Sequence, residues 1–122
     1  MHAKKHKNLN QPALSHKLKI IGSWLDEHKA ENILLLDVQN SLTVFEGLVI
    51  ASANNVRHAQ ALADHILDKV AEYGYEYLGM EGYQHGEWIL IDLNDIVVHI
   101  FLPETREFYN LEGFWFKAQK IY

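Results

Sequence analysis

Cysteine is absent from this chain of 122 residues, which excludes disulfides, cysteine-based metal sites and thiol catalysis. No apolar run approaches the roughly 20 residues that a membrane-spanning helix requires, and the N-terminus lacks the apolar core of a signal peptide. We therefore expect a cytoplasmic protein with no membrane partner. Repeats, low-complexity segments and internal linkers are also missing, and the length suits one domain with a single sizeable core.

Acidic residues are missing from the first 20 positions, which hold five of the 11 basic residues. Residues 1–12 are polar and basic and are predicted to form a disordered arm that precedes a domain at 13–122. From residue 21 onward, six basic residues face 16 acidic ones, a formal net charge of −10. Such a body binds phosphate backbones poorly, so no direct contact with nucleic acid is required. The charge favours a basic protein partner, and solubility alone is the alternative explanation.

Hydrophobic periodicity predicts an α/β (α+β) fold with one mixed sheet of about five strands flanked by helices. Asn54 and Asn55 offer an N-cap for the second helix, and Gly74 a left-handed stop. Gly22 inside the first helix indicates a close contact. The order αββαβββα is assigned to about 13–29, Ile33–Val38, Leu48–Ala51, Val56 to about Tyr73, Glu76–Met80, Trp88–Asp92, Ile96–Phe101 and a last helix from Pro103 with a break near Asn110 or Gly113.

Catalytic motifs are missing as well. The serines lie in no G-x-S-x-G elbow, and the glycines near residue 82 form neither a P-loop nor a dinucleotide-binding turn. His58 and His65 are seven residues apart, which suits a solvated helical face better than a metal site. We expect no enzyme activity, no metal and no cofactor.

Asp92 and Asp95 are the one carboxylate pair that could hold magnesium, as in a nucleotidyltransferase. They are three residues apart and flank a hairpin turn with Asn94 between them. Turn chemistry explains both acids at least as well, because Asn and Asp tolerate the backbone of tight turns. A magnesium-dependent transferase remains the alternative to a binding protein.

Aromatic residues are concentrated between Gly86 and Trp115. Trp88, Tyr109 and Trp115 could belong to the core, but Trp and Tyr also carry binding hot spots. Alternation places His99 on one strand face with Val97 and Phe101. It could be a buried histidine satisfied by a hydrogen bond, or it could lie beside Trp88 under a partner.

Seven motifs, in order and at fitting spacing, resemble the ribosomal silencing factor family, also called Iojap-related or RsfS proteins. The resemblance spans about Leu14 to Trp115. The motifs are LLLDV at Leu34–Val38, VIAS at Val49–Ser52, VRHAQALADHI at Val56–Ile66, MEG at Met80–Gly82, GEWILID at Gly86–Asp92, DIVVHIF at Asp95–Phe101 and REFYNLEGFW at Arg106–Trp115.

The resemblance implies a nucleotidyltransferase-like fold without transferase activity. It also implies docking on the fourteenth large-subunit ribosomal protein, at the intersubunit face, where the factor blocks subunit joining under nutrient limitation. Some members are linked to large-subunit assembly. The positions that match the partner-facing surface, or lie near it, are Trp88, Leu93, Asp95, His99, Tyr109, Glu112 and Trp115.

The chain departs from the family pattern at the hairpin turn, where Asn94 replaces the usual glycine. A third interpretation is a homodimer, with the apolar hairpin face pairing two copies.

Overall fold

Six strands form one mixed sheet in the computed structural model, which describes residues 13–39, 44–115 and 119–120. Across the sheet the strand order is β3-β4-β5-β2-β1-β6. The elements in chain order are α1 (Leu14–Glu27), β1 (Glu31–Asp37), β2 (Gly47–Ser52), α2 (Val56–Tyr73), β3 (Gly79–Glu81), β4 (Trp88–Asp92), β5 (Ile96–Phe101), α3 (Pro103–Tyr109), a 3₁₀ helix (Leu111–Trp115) and β6 (Gln119–Lys120).

The two central strands, β2 and β5, are parallel, and every residue in both is buried. The other neighbouring strands pair antiparallel, including the β4–β5 hairpin, in which Trp88 lies opposite Phe101. A continuous apolar run is typical of a strand covered on both faces. The runs LVIA and IVVHIF therefore belong to the strands that lie deepest in the sheet.

Helices α1 and α2 cover one face of the sheet and form the main core. The apolar face of each helix packs against every second residue of the strands. This follows because side chains share a helix face at a period of 3.6 residues and a strand face at a period of two. The largest fully buried side chains of this core include Leu18, Ile21, Trp24, Leu25, Leu35, Leu62, Ile66, Ile89 and Ile91.

The opposite face of the sheet carries a second, smaller apolar cluster. It is formed by Leu36, Val38, Leu48, Ile50, Val97 and Phe101. Residues 103–115, which comprise α3 and the 3₁₀ helix and are called the cover segment below, lie over part of this face through Leu111 and Trp115. Trp88 and Leu90 remain only partly buried there. This face is therefore the less protected of the two.

Local signals set the ends of α2 as predicted. The side-chain oxygen of Asn55 accepts the His58 N–H at 2.8 Å, and Gly74 ends the helix at φ 72°. In α1, a Cβ on Gly22 would lie 3.2 Å from the Leu35 side chain, so this glycine marks a close helix–sheet contact. Among the described residues, no helix is long and apolar enough to cross a membrane.

The predicted fold class and helix–strand order are confirmed, and the main differences concern β3 and β6. Strand β3 begins at Gly79 instead of Glu76, because Gly79 pairs with Asp92, the last residue of β4, and the ladder between the two strands ends there. The two-residue strand β6, which pairs with β1, was not predicted. The predicted arm at residues 1–12 lies outside the described residues.

Candidate functional site

Four rings form a contiguous cluster at the end of the β4–β5 hairpin opposite its turn. The Trp88 ring stacks on Phe101 with centroids 4.9 Å apart and contacts Tyr109 at 4.8 Å. His99 lies 5.9 Å from Trp88 and 6.1 Å from Phe101. The sequence prediction of Val97, His99 and Phe101 on one strand face thus places His99 and Phe101 directly beside Trp88.

His99 is buried, with 6% of its surface exposed, and it is held by a specific hydrogen bond. The Trp88 indole Nε1–H donates to His99 Nδ1 at 2.9 Å, which requires that nitrogen to be unprotonated. Burial lowers the pKa of His99 from 6.5 to about 4, because the charged form would lose its hydration. Of the two interpretations of His99 left open by the sequence, the structure supports the buried histidine that is satisfied by a hydrogen bond, and this bond orients Trp88.

Acidification should destabilise the protein through His99. The unfolded chain, with the ordinary pKa of 6.5, takes up a proton before the folded chain, whose pKa is about 4. Stability from neutral His99 is therefore complete above pH 6.5 and decreases as the pH falls to 4, by about 3 kcal/mol in total. Chemical denaturation at a series of pH values measures this slope.

Asparagine at position 99 provides the non-titrating comparison, since its side-chain oxygen can accept from Trp88. His99→Asn should flatten the stability profile between pH 6.5 and 4, whereas replacing the exposed His85 by Asn should leave the wild-type slope unchanged. An equal slope in wild type and His99→Asn would show that His99 is not buried in the neutral form.

An exposed aromatic surface adjoins the cluster of four rings and shares Trp88 and Tyr109 with it. Phe108 is 80% exposed and contacts Tyr109, itself 49% exposed, edge to face with centroids 5.0 Å apart. We call Trp88, Phe108 and Tyr109 the aromatic face. Both α3 rings line a shallow depression together with Glu87 and Glu104. Large exposed rings beside carboxylates form a surface suited to recognition, because such rings gain most from being desolvated by a partner.

The cover segment carries Tyr109 and also contains Glu112 and Trp115. Trp115 packs on the second cluster and meets the Phe45 ring edge to face at 6.0 Å. Glu112 accepts a hydrogen bond from Arg106 Nε at 3.0 Å, so its carboxylate already has an internal partner. The expectation that Glu112 lies near a partner-facing surface is compatible with this position, but its charge is engaged within the domain.

Leu93 and Asp95 lie at the turn, away from the aromatic face. With a rise of about 3.3 Å per residue, β4 separates this turn from Trp88 by roughly 16 Å. Leu93 has no exposed area and belongs to the main core on the helix-covered face. The expectation that Leu93 faces a partner does not agree with this burial. Asp95 pairs with Lys17 at 2.7 Å and is only partly exposed.

The carboxylates of the turn have structural partners. Asp92 Oδ1 accepts the Asn94 N–H at 2.9 Å, the pattern of an Asx turn, and Asn94 adopts φ 78°. Asn94 therefore supplies the positive φ that this turn requires. Together with the Lys17–Asp95 ion pair, this turn accounts for both acids without a metal ion.

The histidines of α2 are likewise engaged in structural contacts. His58 bonds to the Asn54 N–H and the His28 carbonyl, and His65 pairs with Glu27 at 2.9 Å. No group of three or more acidic or histidine side chains in the described ranges is arranged to hold a metal ion.

Sequence reasoning missed Phe108 and gave no role to Arg106. Phe108 stands beside Tyr109 on a seven-residue helix that buries none of its residues. A short helix rich in aromatic residues could have indicated an exposed ring, but nothing local shows which of two adjacent rings faces outward. Two of the partners of Arg106, the Asn32 carbonyl and the Ser52 hydroxyl, lie in distant parts of the chain.

Comparison with known proteins decides which family these features belong to. A family model described as "Ribosomal silencing factor during starvation" matches residues 11–122. The chain belongs to the ribosomal silencing factor family. A silencing factor from Bacillus subtilis is 37% identical over 107 residues, covering 88% of each protein.

Solved structures and organellar relatives agree with this assignment. A crystal structure of a Chromobacterium violaceum protein matches with a TM-score of 0.81 and 32% identity, covering 85% of this chain and 87% of that one. A mouse protein named mitochondrial assembly of ribosomal large subunit protein 1 is 30% identical over 102 residues, covering 80% of this chain and 44% of the mouse protein. The family predicted from the seven motifs is confirmed, and with it a regulatory role in translation. The silencing factor family is named for that regulation and not for a catalytic reaction.

Proposed function

We propose that this protein silences ribosomes by docking on the large subunit and blocking its union with the small subunit under nutrient limitation. The proposed contact is the fourteenth large-subunit protein at the intersubunit face, as the motif resemblance implies. The names of the relatives support a ribosomal role, and the name of the mouse relative points to the large subunit. No catalytic step is part of the proposal.

The observation that carries this proposal is the exposed aromatic face on a half-covered sheet. Tyr109 and Phe108 expose large ring areas, and the half-buried Trp88 is held in place by His99. Rigid aromatic anchors lose little conformational entropy on binding and dominate interface energies. Such a surface suits a protein partner better than a small molecule, because the depression beside it is shallow.

Charge around the aromatic face selects the chemistry of the partner. Glu87 and Glu104 line the depression, and Glu107, which lies on α3 with Glu104, is exposed. The basic Arg106 of this helix is neutralised by Glu112. The acidic rim therefore complements a basic protein surface, such as those common among ribosomal proteins, and would speed encounter with it.

The bound protein would silence the large subunit by sterically excluding the small subunit. An interface that buries about 800 Å² on each side is of standard size for a stable complex. The remainder of the bound domain occupies space next to the contact, where the small subunit would have to approach. No movement within the factor is needed, because occupancy alone prevents joining.

A molar excess of the protein should lower the yield of joined ribosomes formed from purified subunits. Sedimentation in a density gradient measures this yield, and the protein should travel with the large subunit. Denatured protein or an unrelated acidic protein of similar size serves as the control. Co-sedimentation with unchanged joining would refute exclusion, and absence from the large-subunit fraction would refute docking.

Self-association is the competing use of the same surface. A homodimer formed through the aromatic face would bury the rings that the proposed docking requires. Light scattering of the free protein across concentrations tests this alternative, and added large subunits should then dissociate the dimer.

A further inference from the structure

Arg106 joins three separate parts of the fold through one guanidinium group. Its Nη1 donates to the Asn32 carbonyl at 2.7 Å and to the Ser52 hydroxyl at 2.9 Å, and its Nε donates to Glu112 at 3.0 Å. Only 12% of the Arg106 side chain is exposed. Asn32 belongs to β1 and Ser52 ends β2, so the contacts tie the cover segment to two strands of the sheet.

The cover segment has few other attachments at its α3 end. None of the seven residues of α3 is buried, so the helix lacks the apolar stripe that normally fixes a helix on a sheet. Isolated helices of this length are unstable in water, and their order depends on tertiary contacts. The aromatic contact between Tyr109 and Trp88 lies on one side of α3, and the Arg106 contacts provide a second fixed point.

Glu112 makes the arrangement depend further on Arg106. Its Oε1 is buried and has no hydrogen-bond partner among the described residues, while Oε2 accepts from Arg106. A partly buried carboxylate is costly unless a cation lies against it. Arg106 therefore stabilises both the start of the cover segment and the 3₁₀ helix that follows.

We propose that Arg106 is a positioning residue, which acts through the cover segment to hold Tyr109 and Phe108 in the geometry that the docking partner recognises. This inference rests on the proposed docking function and adds to it a residue that does not contact the partner. A planar guanidinium reaches three acceptors in fixed directions, which an ammonium group cannot reproduce. When Arg106 is lost, the cover segment opens more often, and the aromatic face is complete in a smaller fraction of molecules.

Hydrogen exchange measured by mass spectrometry tests the first half of this inference without the ribosome. Arg106→Gln should speed exchange in residues 103–115 by about tenfold or more, while β4 and β5 keep their protection, because only a local opening is favoured. Arg106→Lys should lie between wild type and Arg106→Gln, since lysine keeps the charge opposite Glu112. Glu112→Gln removes the acidic partner of Arg106 and should therefore also increase exchange in residues 103–115.

Binding to purified large subunits tests the second half. If the competent fraction falls to about a tenth, the apparent affinity falls about tenfold as well. Arg57→Lys is the matched control. Arg57 is the other arginine of the chain and is exposed on α2, so its replacement should change neither hydrogen exchange nor binding to the large subunit.

The possible outcomes separate this inference from the proposed function. Unchanged exchange in Arg106→Gln would overturn the positioning role, even if binding were weaker. Faster exchange with unchanged affinity would show that the order of the cover segment does not matter for docking, and would overturn the inference as well. A wild-type protein that fails to bind large subunits would refute the docking function, and the inference about docking with it, whereas the exchange data would still decide whether Arg106 orders the segment.

Discussion

Alanine at Tyr109 or at Trp88 is expected to weaken binding to the large subunit by about 2 kcal/mol or more, roughly 30-fold in affinity. Tyr109 is half-exposed and its ring contacts Trp88. Tyr109→Ala therefore removes a ring that contacts the partner, and Trp88→Ala removes the ring that supports it. Tyr109→Ala is the cleaner test of contact, since it leaves the Trp88–His99 hydrogen bond in place. Titration of labelled protein with purified large subunits measures the change.

Tyr77 offers a matched control for this prediction. It is 46% exposed, close to the value for Tyr109, but lies in the loop before β3, at the end of the sheet that carries the β4–β5 turn. Tyr77→Ala should bind as the wild type does. Full affinity in both Tyr109→Ala and Trp88→Ala would place the docking surface elsewhere, and a loss in Tyr77→Ala alone would place it at the β3 edge.

Leu93→Ala should lower the free energy of unfolding by about 2–5 kcal/mol, the range for deleting a fully buried leucine side chain. The cost arises from lost apolar burial and from the cavity that remains between the hairpin turn and the helices. Leu93 has no exposed area, so the variant should keep its affinity per folded molecule. Denaturant titration combined with binding at low temperature separates the two effects.

Leu78 is the comparison for Leu93, because it is 58% exposed near the same end of the sheet. Leu78→Ala should change stability by less than about 0.5 kcal/mol, as surface substitutions usually do. A Leu93→Ala variant that is fully stable but binds weakly would restore Leu93 as a contact residue and would contradict the burial seen here.

Helix ends and turns could be predicted from the sequence because their causes are local. Asn55 caps α2 through the N–H of a residue three positions away, and Gly74 ends the helix through its own φ. The hairpin turn depends on Asp92 and Asn94, two residues apart. The bounds of β3 were wrong because they depend on where β4 ends, which is a property of the paired strand.

The candidate site was predictable in part. Trp88, Tyr109 and His99 were proposed from the sequence, and the structure brings these three side chains together. Leu93 was placed on the same surface by the resemblance, but it is buried in the main core on the opposite face of the sheet, together with Ile89 and Ile91 of β4. Alternation along β4, continued through Leu93, indicates this core face, whereas a resemblance between motifs carries no information on which side chains are buried.

The sequence by itself determined the family, the fold class, the absence of cysteine chemistry and the acidic character of the body. These depend on composition and on patterns that repeat over a few residues. Only the tertiary structure decided which aromatic rings are exposed, that His99 is neutral beneath Trp88, and that Arg106 binds groups 54 and 74 residues away. The physical reason is range: burial and polar contacts depend on which distant segments the folded sheet brings together, and no local pattern encodes those distances.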